Sequence, residues 1–201
     1  IDFINKCWYS MQEVEKRGCI KSLITSSDNI VDLVNNLLTW SRLQINGIQV
    51  NKKRFNIKEV IRKNIELYKV MAHKKGIVIL DYSKDLYVNA DEDMILTVIR
   101  NLINNAVKFT REEGQIKIET FDYPDKVQIV VEDDGIGMNK EQIDNIYKLD
   151  LISHREGTCG EKGTGLGLIL CKDFVEKNKG NIFIESQVNK GTKVIIELPK
   201  E

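Results

Sequence analysis

Seven of the thirteen glycines fall between residues 135 and 167, at Gly135, Gly137, Gly157, Gly160, Gly163, Gly165 and Gly167. Such a backbone can bend sharply and bring its N–H groups close to a ligand, which is how proteins cradle phosphates, although a flexible loop has the same composition. Gly163-Thr164-Gly165-Leu166-Gly167 matches neither G-x-G-x-x-G after a strand nor G-x-x-x-x-G-K-[ST], so Rossmann and P-loop readings fail. It does open an expected helix, whose first amides and positive dipole end suit an anion. A second group is Asn101, Asn105 and Lys108, which lie within about 60° of one another on a helix whose other side carries Ile95, Ile99, Leu102, Ile103 and Ala106. Asn costs a helix roughly 0.5–0.7 kcal/mol relative to Ala, so a merely solvated face would favour other polar residues. Two amides and an ammonium in line can hold a divalent cation and the phosphates attached to it. The third group is the strand Val130-Val131-Glu132-Asp133, which runs into Asp134-Gly135-Ile136-Gly137. A carboxylate there can accept a hydrogen bond from an exocyclic amine such as that of adenine; a plain Asp-Gly turn would read the same way.

These groups need elements to position them. Amphipathic periodicity predicts helices over Asn56 to Lys74, Asp91 to Phe109 and Leu166 to Asn178, the first closed by His73-Lys74-Lys75-Gly76 as a basic last turn and a glycine stop. Strands are expected at Ile77 to Tyr82, Leu86 to Asn89, Gln115 to Phe121, Lys126 to Glu132, Ile182 to Gln187 and Thr192 to Leu198. This order predicts an α/β fold of the two-layer sandwich type, a mixed, largely antiparallel sheet covered by helices, and not a doubly wound parallel sheet. Ahead of it, Met11 to Asn46 contains no Pro and repeats apolar residues at heptad spacing through Ile20, Ile24, Val31, Val34, Leu38 and Ile45, with Leu23, Ile30 and Leu37 as a second seam. Two seams call for neighbours on more than one side, as in a dimeric helical hairpin; a long helix laid on its own globular domain is the alternative. The expected domains are therefore 1–50 and 51–201.

A chain of 201 residues, 42% hydrophobic, can bury a substantial core without disulfides or metal, which excludes a disordered protein. Thirty basic against thirty acidic residues and a pI near 6.9 give no pull towards nucleic acid or anionic lipid, so neither is expected as a partner. No apolar run approaches the ~18 residues of a membrane span, and a soluble piece with no membrane contact of its own is expected. The chain opens on Ile1-Asp2-Phe3-Ile4 without an initiator Met, as a piece cut from something longer would. Cys7, Cys19, Cys159 and Cys171 form no C-x-x-C pair and read as reduced filler.

Taken together, the motifs resemble the N, G1 and G2 boxes of the ATP-binding domain of sensor histidine kinases, in the superfamily shared with gyrase and the heat-shock chaperone ATPase. Asn101-Leu102-Ile103-Asn104-Asn105-Ala106-Val107-Lys108-Phe109-Thr110 resembles the first, Asp133-Asp134-Gly135-Ile136-Gly137-Met138 the second, and Glu161-Lys162-Gly163-Thr164-Gly165-Leu166-Gly167-Leu168 the third. The resemblance implies ATP and Mg2+ as cofactors. Asn105 would ligate the magnesium, Asn101 and Lys108 would approach the triphosphate, and Asp133 would accept from the adenine amine. Gly135 and Gly137 would shape the pocket wall, and Gly163, Thr164, Gly165, Leu166 and Gly167 would meet the phosphates. Thr192 would support Asp133 through water. Asn139 to Lys162 would be a mobile lid with Lys148 and Arg155 as its cations; its phenylalanine-rich box is reduced to Ile146-Tyr147-Lys148-Leu149.

Hydrolysing relatives carry Glu where Asn101 stands, as general base for water, and Asn cannot take that proton. Phosphoryl transfer to a neutral imidazole needs positioning and electrostatics instead. The resemblance therefore implies the ATP-dependent histidine kinase core of a two-component sensor, cytoplasmic and homodimeric through the hairpin, passing phosphate to a response-regulator receiver domain. The acceptor histidine would lie upstream of Ile1, since His73 and His154 lack its context. A protein serine kinase or ATPase of the same superfamily, or a non-catalytic nucleotide-binding scaffold, are the alternatives.

Overall fold

The computed structural model describes residues 11–13, 15–20, 23, 27, 50–148, 157–161 and 165–200. The heptad helix expected over Met11 to Asn46 falls largely outside them; residues 15–20 are helical.

From residue 50 onwards the order is β1 (Lys53–Asn56), α1 (Ile57–Lys74), β2 (Val78–Tyr82), β3 (Tyr87–Ala90), α2 (Glu92–Phe109), β4 (Gln115–Asp122), β5 (Lys126–Asp133), α3 (Lys140–Asn145), α4 (Gly167–Lys177), β6 (Asn181–Gln187) and β7 (Gly191–Pro199). Five strands form one sheet in the order β2-β4-β5-β7-β6, with β2 parallel to β4 and every other pairing antiparallel. This is the mixed, helix-covered sandwich expected. β1 and β3 pair separately as a two-stranded antiparallel ribbon.

Each long helix starts where a side chain replaces the missing intrahelical acceptor. Asn56 accepts from the Lys58 amide at 3.0 Å and Asp91 from the Met94 amide at 3.1 Å, each such cap stabilising by about 1 kcal/mol. Ile57, Val60 and Ile61 of α1, Ile95, Ile99 and Ile103 of α2, and Leu170, Phe174 and Val175 of α4 are buried in one core with Ile116, Ile118, Val127, Ile129, Ile196 and Leu198 of the sheet. Fully burying each such side chain contributes roughly 1.5–3 kcal/mol. Strand alternation sends the intervening residues to the other face, where Lys117, Glu132, Lys193 and Glu185 stand opposite one another across four strands, alternating in charge. Asn178, fully buried past the end of α4, accepts from the Asp91 amide at 2.7 Å and donates to the Phe174 carbonyl at 2.8 Å, which ties α4 to the start of α2.

Among the described residues no helix is long and apolar enough to cross a membrane. Cys19, Cys159 and Cys171 are free; Cys171 is buried filler, whereas Cys159 is exposed.

Candidate functional site

Helix α2 is the hub. Its half-buried Asn101 faces the start of α4, where a Cβ placed on Gly167 would lie 3.3 Å from Asn101 Oδ1. Asn101 Nδ2 is buried and makes no hydrogen bond of good geometry among the described residues; the Cys171 thiol beside it is its one weak acceptor there, pushed up to about 12 by burial and lowered a little by the amide. A buried donor left without a good acceptor costs about 1–3 kcal/mol, so this amide has hydrogen-bonding capacity that the fold itself does not use well. Asn105, one turn on and also half-buried, makes no side-chain hydrogen bond among the described residues. Lys108 lies on the same side, but it is not solvated: only 8% is exposed, because Gly157 and Thr158 cover it. Burial lowers its pKa, and Glu161 nearby partly restores it.

The carboxyl end of α2 receives the turn after β5. The Ile136 amide donates to the Phe109 carbonyl at 3.1 Å, and a Cβ on Gly135 would collide with that carbonyl, so no larger residue fits. Gly137 has φ +61°, and a Cβ there would collide with the Gln187 carbonyl. These two glycines let the chain turn away from Asp133 while staying packed against α2.

Asp133 ends β5 opposite Thr192 and is 9% exposed. Burial raises its carboxyl from an ordinary 3.8 to about 6; the Gly135 and Thr192 amides, which donate to Oδ1 at 2.9 and 3.3 Å, oppose the rise, and Asp134 and Glu132 add to it. Thr192 thus supports Asp133 by its own amide, while its hydroxyl pairs with Ser186 Oγ at 2.9 Å. The sequence pointed to Thr192 but not to Ser186.

Gly165, with φ +71°, and Leu166 lead into α4, whose N-cap Leu166 supplies no side-chain cap and whose first turn holds no acidic residue. Its amino end therefore suits an anion. Gly163 and Thr164 lie outside the described residues, as do Arg155 and His154. His73 is exposed in the last turn of α1. Of the expected lid, Asn139–Lys148 and Gly157–Glu161 are described: Asn139 and Gln142 form a capping box, the Lys148 ammonium donates to Asn145 Oδ1 at 2.8 Å, and the Tyr147 ring packs under the Lys172 ammonium at 4.7 Å. Gly157–Glu161 is fastened to α2, which differs from a lid free along its whole length. The Thr158 amide donates to the Lys108 carbonyl at 3.0 Å, and Lys75, which sequence reasoning read only as helix-terminal charge, reaches Thr158 and Glu161.

The Asn101 and Gly167 contact joins the first motif to the third, and the Phe109 and Gly135 contact joins it to the second. Residues 90–201 match the family described as histidine kinase-, DNA gyrase B-, and HSP90-like ATPase. The chain belongs to this ATPase family. Sensor protein SrrB of Staphylococcus aureus (strain NCTC 8325 / PS 47) is 32% identical over 191 residues, 92% of this chain and 32% of that protein, so the chain spans about a third of the length of the curated relatives it matches. The catalytic domain of histidine kinase ThkA is 33% identical with a TM-score of 0.66 over 75% of this chain and 96% of that domain. ThkA solved in complex with response regulator protein TrrA is 25% identical with a TM-score of 0.74, covering 100% of this chain and 56% of that one. The domain that carries the three motifs is accordingly a histidine kinase-type ATP-binding domain. Its donor set also fits a magnesium ion held with phosphates: a hard cation needs oxygen, Asn105 offers a carboxamide oxygen, and the described residues contain no cluster of three His, Cys, Asp or Glu that would form an all-protein cage.

Proposed function

We propose that the chain is the ATP-binding kinase core of a two-component sensor histidine kinase, acting with Mg2+ on a histidine upstream of Ile1 and, through it, on an aspartate of a response-regulator receiver domain. The observation that carries this reading is Asn101, a buried amide whose nitrogen has only the weak Cys171 thiol beside it among the described residues, where hydrolysing relatives carry a carboxylate base. An amide holds a phosphate oxygen or a hydration water without deprotonating it, which leaves the transfer route open and the water route unassisted.

In this reading Asp133 selects adenine through its exocyclic amine, Gly135 and Gly137 let the base approach, and the amides at the start of α4 with Gly163 to Gly167 bind phosphate oxygens. Lys108 neutralises charge on the transferring group. Asn105 would hold the magnesium, which supplies charge neutralisation between the phosphates. Residues 1–50 form part of a dimerisation and phosphotransfer hairpin, residues 51–201 form the catalytic domain, and both act in the cytoplasm. SrrB as a sensor protein and ThkA as the partner of a response regulator support the same assignment.

The test combines calorimetry of ATP binding with radiolabelled ATP supplied to the full-length protein. ATP should bind with magnesium, and label should appear as acid-labile phosphohistidine, transferable to a receiver domain and abolished by Asn105→Ala. Release of free phosphate with no protein-bound label would overturn the kinase assignment in favour of hydrolysis.

A further inference from the structure

A dense polar cluster lies where the carboxyl ends of α1 and α2 meet the Gly157–Glu161 turn. Lys75, just past α1, has a side chain only 9% exposed. Its Nζ donates to the Val107 carbonyl at 2.8 Å, to the Lys108 carbonyl at 3.2 Å and to Thr158 Oγ1 at 2.6 Å, and lies 3.3 Å from Glu161 Oε1. A lysine on helix-terminal carbonyls is in itself a capping device. The ion pair with Glu161 is not required for capping, and it lies beside the cation of the nucleotide site.

Glu161 is held to serve two lysines. Its Oε2 accepts from the Cys159 amide at 2.8 Å and its carbonyl from the Gly157 amide at 2.7 Å, which fixes the turn. A Cβ on Gly157 would touch both Glu161 Oε2 and, at 2.6 Å, Lys108 Cγ, so the carboxylate borders the stem of Lys108. Partial burial pushes the Glu161 carboxyl up, but its own and the Cys159 amides together with Lys75 hold it below the usual range, so it is an anion at neutral pH. Its charge also raises the pKa of Lys108 against the effect of burial. An anion next to Lys108 attracts the same ammonium that nucleotide phosphates would use, and it repels them.

We propose that Lys75 is a positioning residue for phosphate binding: it neutralises Glu161, whose carboxylate otherwise competes with nucleotide phosphates for Lys108. The inference rests on the nucleotide-binding reading above. It predicts coupling between two residues that lie behind the phosphate cation.

Calorimetry with ATP and with adenosine, which lacks phosphate, on the wild type, Glu161→Gln, Lys75→Met, Lys75→Arg and the Glu161→Gln/Lys75→Met double variant tests it, each protein first checked for cooperative thermal unfolding. Glu161→Gln should bind ATP about three- to tenfold more tightly with adenosine unchanged, the effect of removing one like charge near the phosphates in a partly buried, partly screened setting. Lys75→Met should weaken ATP by a similar factor, Lys75→Arg should restore most of it, and in the Glu161→Gln background the Lys75→Met loss should fall by more than half. A purely structural cap on α2 gives the same Lys75→Met loss in both backgrounds, for ATP and adenosine alike, and that outcome overturns the proposal. So does unchanged ATP affinity in Glu161→Gln. Should Lys75→Met fail to fold, Glu161→Gln decides alone, since Glu161 lies on a turn with its side chain 27% exposed. A wild type that binds no ATP overturns the nucleotide reading and this inference together, whereas normal wild-type binding with an unaltered Glu161→Gln overturns only the inference.

Discussion

Replacing Asp133 with Asn should stabilise the free protein while removing much of its affinity for ATP. Burial raises the carboxyl from 3.8 to about 6, so the folded state binds a proton more readily than the unfolded chain. A raised carboxyl contributes stability that is present below about pH 4 and lost as pH rises through about 6. About two pH units correspond to about 3 kcal/mol of penalty at pH 8, an upper figure for what the substitution relieves. The Gly135 and Thr192 amides would bond less strongly to a neutral amide oxygen, so we expect a net gain of about 1–2 kcal/mol, or roughly 2–8 °C in Tm for a chain of this size. The binding loss has a geometric cause. Asp133 Oδ1 already accepts from both amides, which leaves Oδ2 for an adenine amine. Asn has one oxygen, so either the backbone amides or the ligand amine would face a second donor. Losing one buried, charge-assisted bond weakens binding by about 2 kcal/mol, roughly thirtyfold. The assays are thermal unfolding from pH 4.5 to 8 and ATP calorimetry at pH 7.5. The stability gain should shrink as pH falls through about 6, and ATP affinity of the wild type should decline over the same interval. A variant less stable than the wild type at pH 8 that retains its ATP affinity would refute the reasoning.

Four further substitutions separate site from scaffold. Gly137→Ala meets the Gln187 carbonyl at φ +61° and should cost about 2–4 kcal/mol, whereas Gly160→Ala, at φ +78° with nothing within 4 Å, should cost only about 1 kcal/mol; urea unfolding measures both. Asn178→Ala leaves the Asp91 amide without its acceptor and should lower stability by about 2–3 kcal/mol, read from the urea midpoint. Asn105→Ala should leave stability nearly unchanged but abolish the magnesium dependence of ATP binding in calorimetry with and without chelator.

The long amphipathic helices were legible almost to the residue because local chemistry marks their ends. Asn56 and Asp91 were read as first helical residues and prove to be the N-caps. The strands were legible where one face is buried: β4 alternates exposed and buried residues from Gln115 to Thr120, as its sequence does. β1 was missed because its four residues carry a single buried side chain, Phe55, which leaves no period to read. α3 was missed because it buries nothing, although Asn139 and Gln142 at capping-box spacing were a local signal for it. Within the site, the face of Asn101, Asn105 and Lys108 was readable from helical geometry. What covers Lys108 was not, since Lys75 and Thr158 meet across 83 positions of sequence that no local pattern links.

Three local costs in this molecule fall on residues of the first two motifs. Asp133 is a carboxylate kept against its solvation, Lys108 is a lysine with its ammonium destabilised by burial, and Asn101 carries a buried donor with only the weak Cys171 thiol beside it among the described residues. Lys108 and Asp133 lie where the carboxyl end of α2 meets the turn after β5, and Asn101 lies two turns back along α2 against the start of α4; the amino end of α2 is instead satisfied by Asn178, which bonds with Asp91 and Phe174. Scaffold needs alone would favour replacing each of these groups, since burying a charge or a poorly matched donor costs one to several kcal/mol in a protein whose net stability is only about 5–15 kcal/mol. Their signs are also complementary to one ligand: an acceptor for an amine at Asp133, a cation for phosphate at Lys108, and a donor for an oxygen at Asn101. A nucleotide carries an amine at one end and phosphates at the other, so under the proposed assignment its binding would offset these costs together, which is the pattern expected where a fold departs from local stability for function.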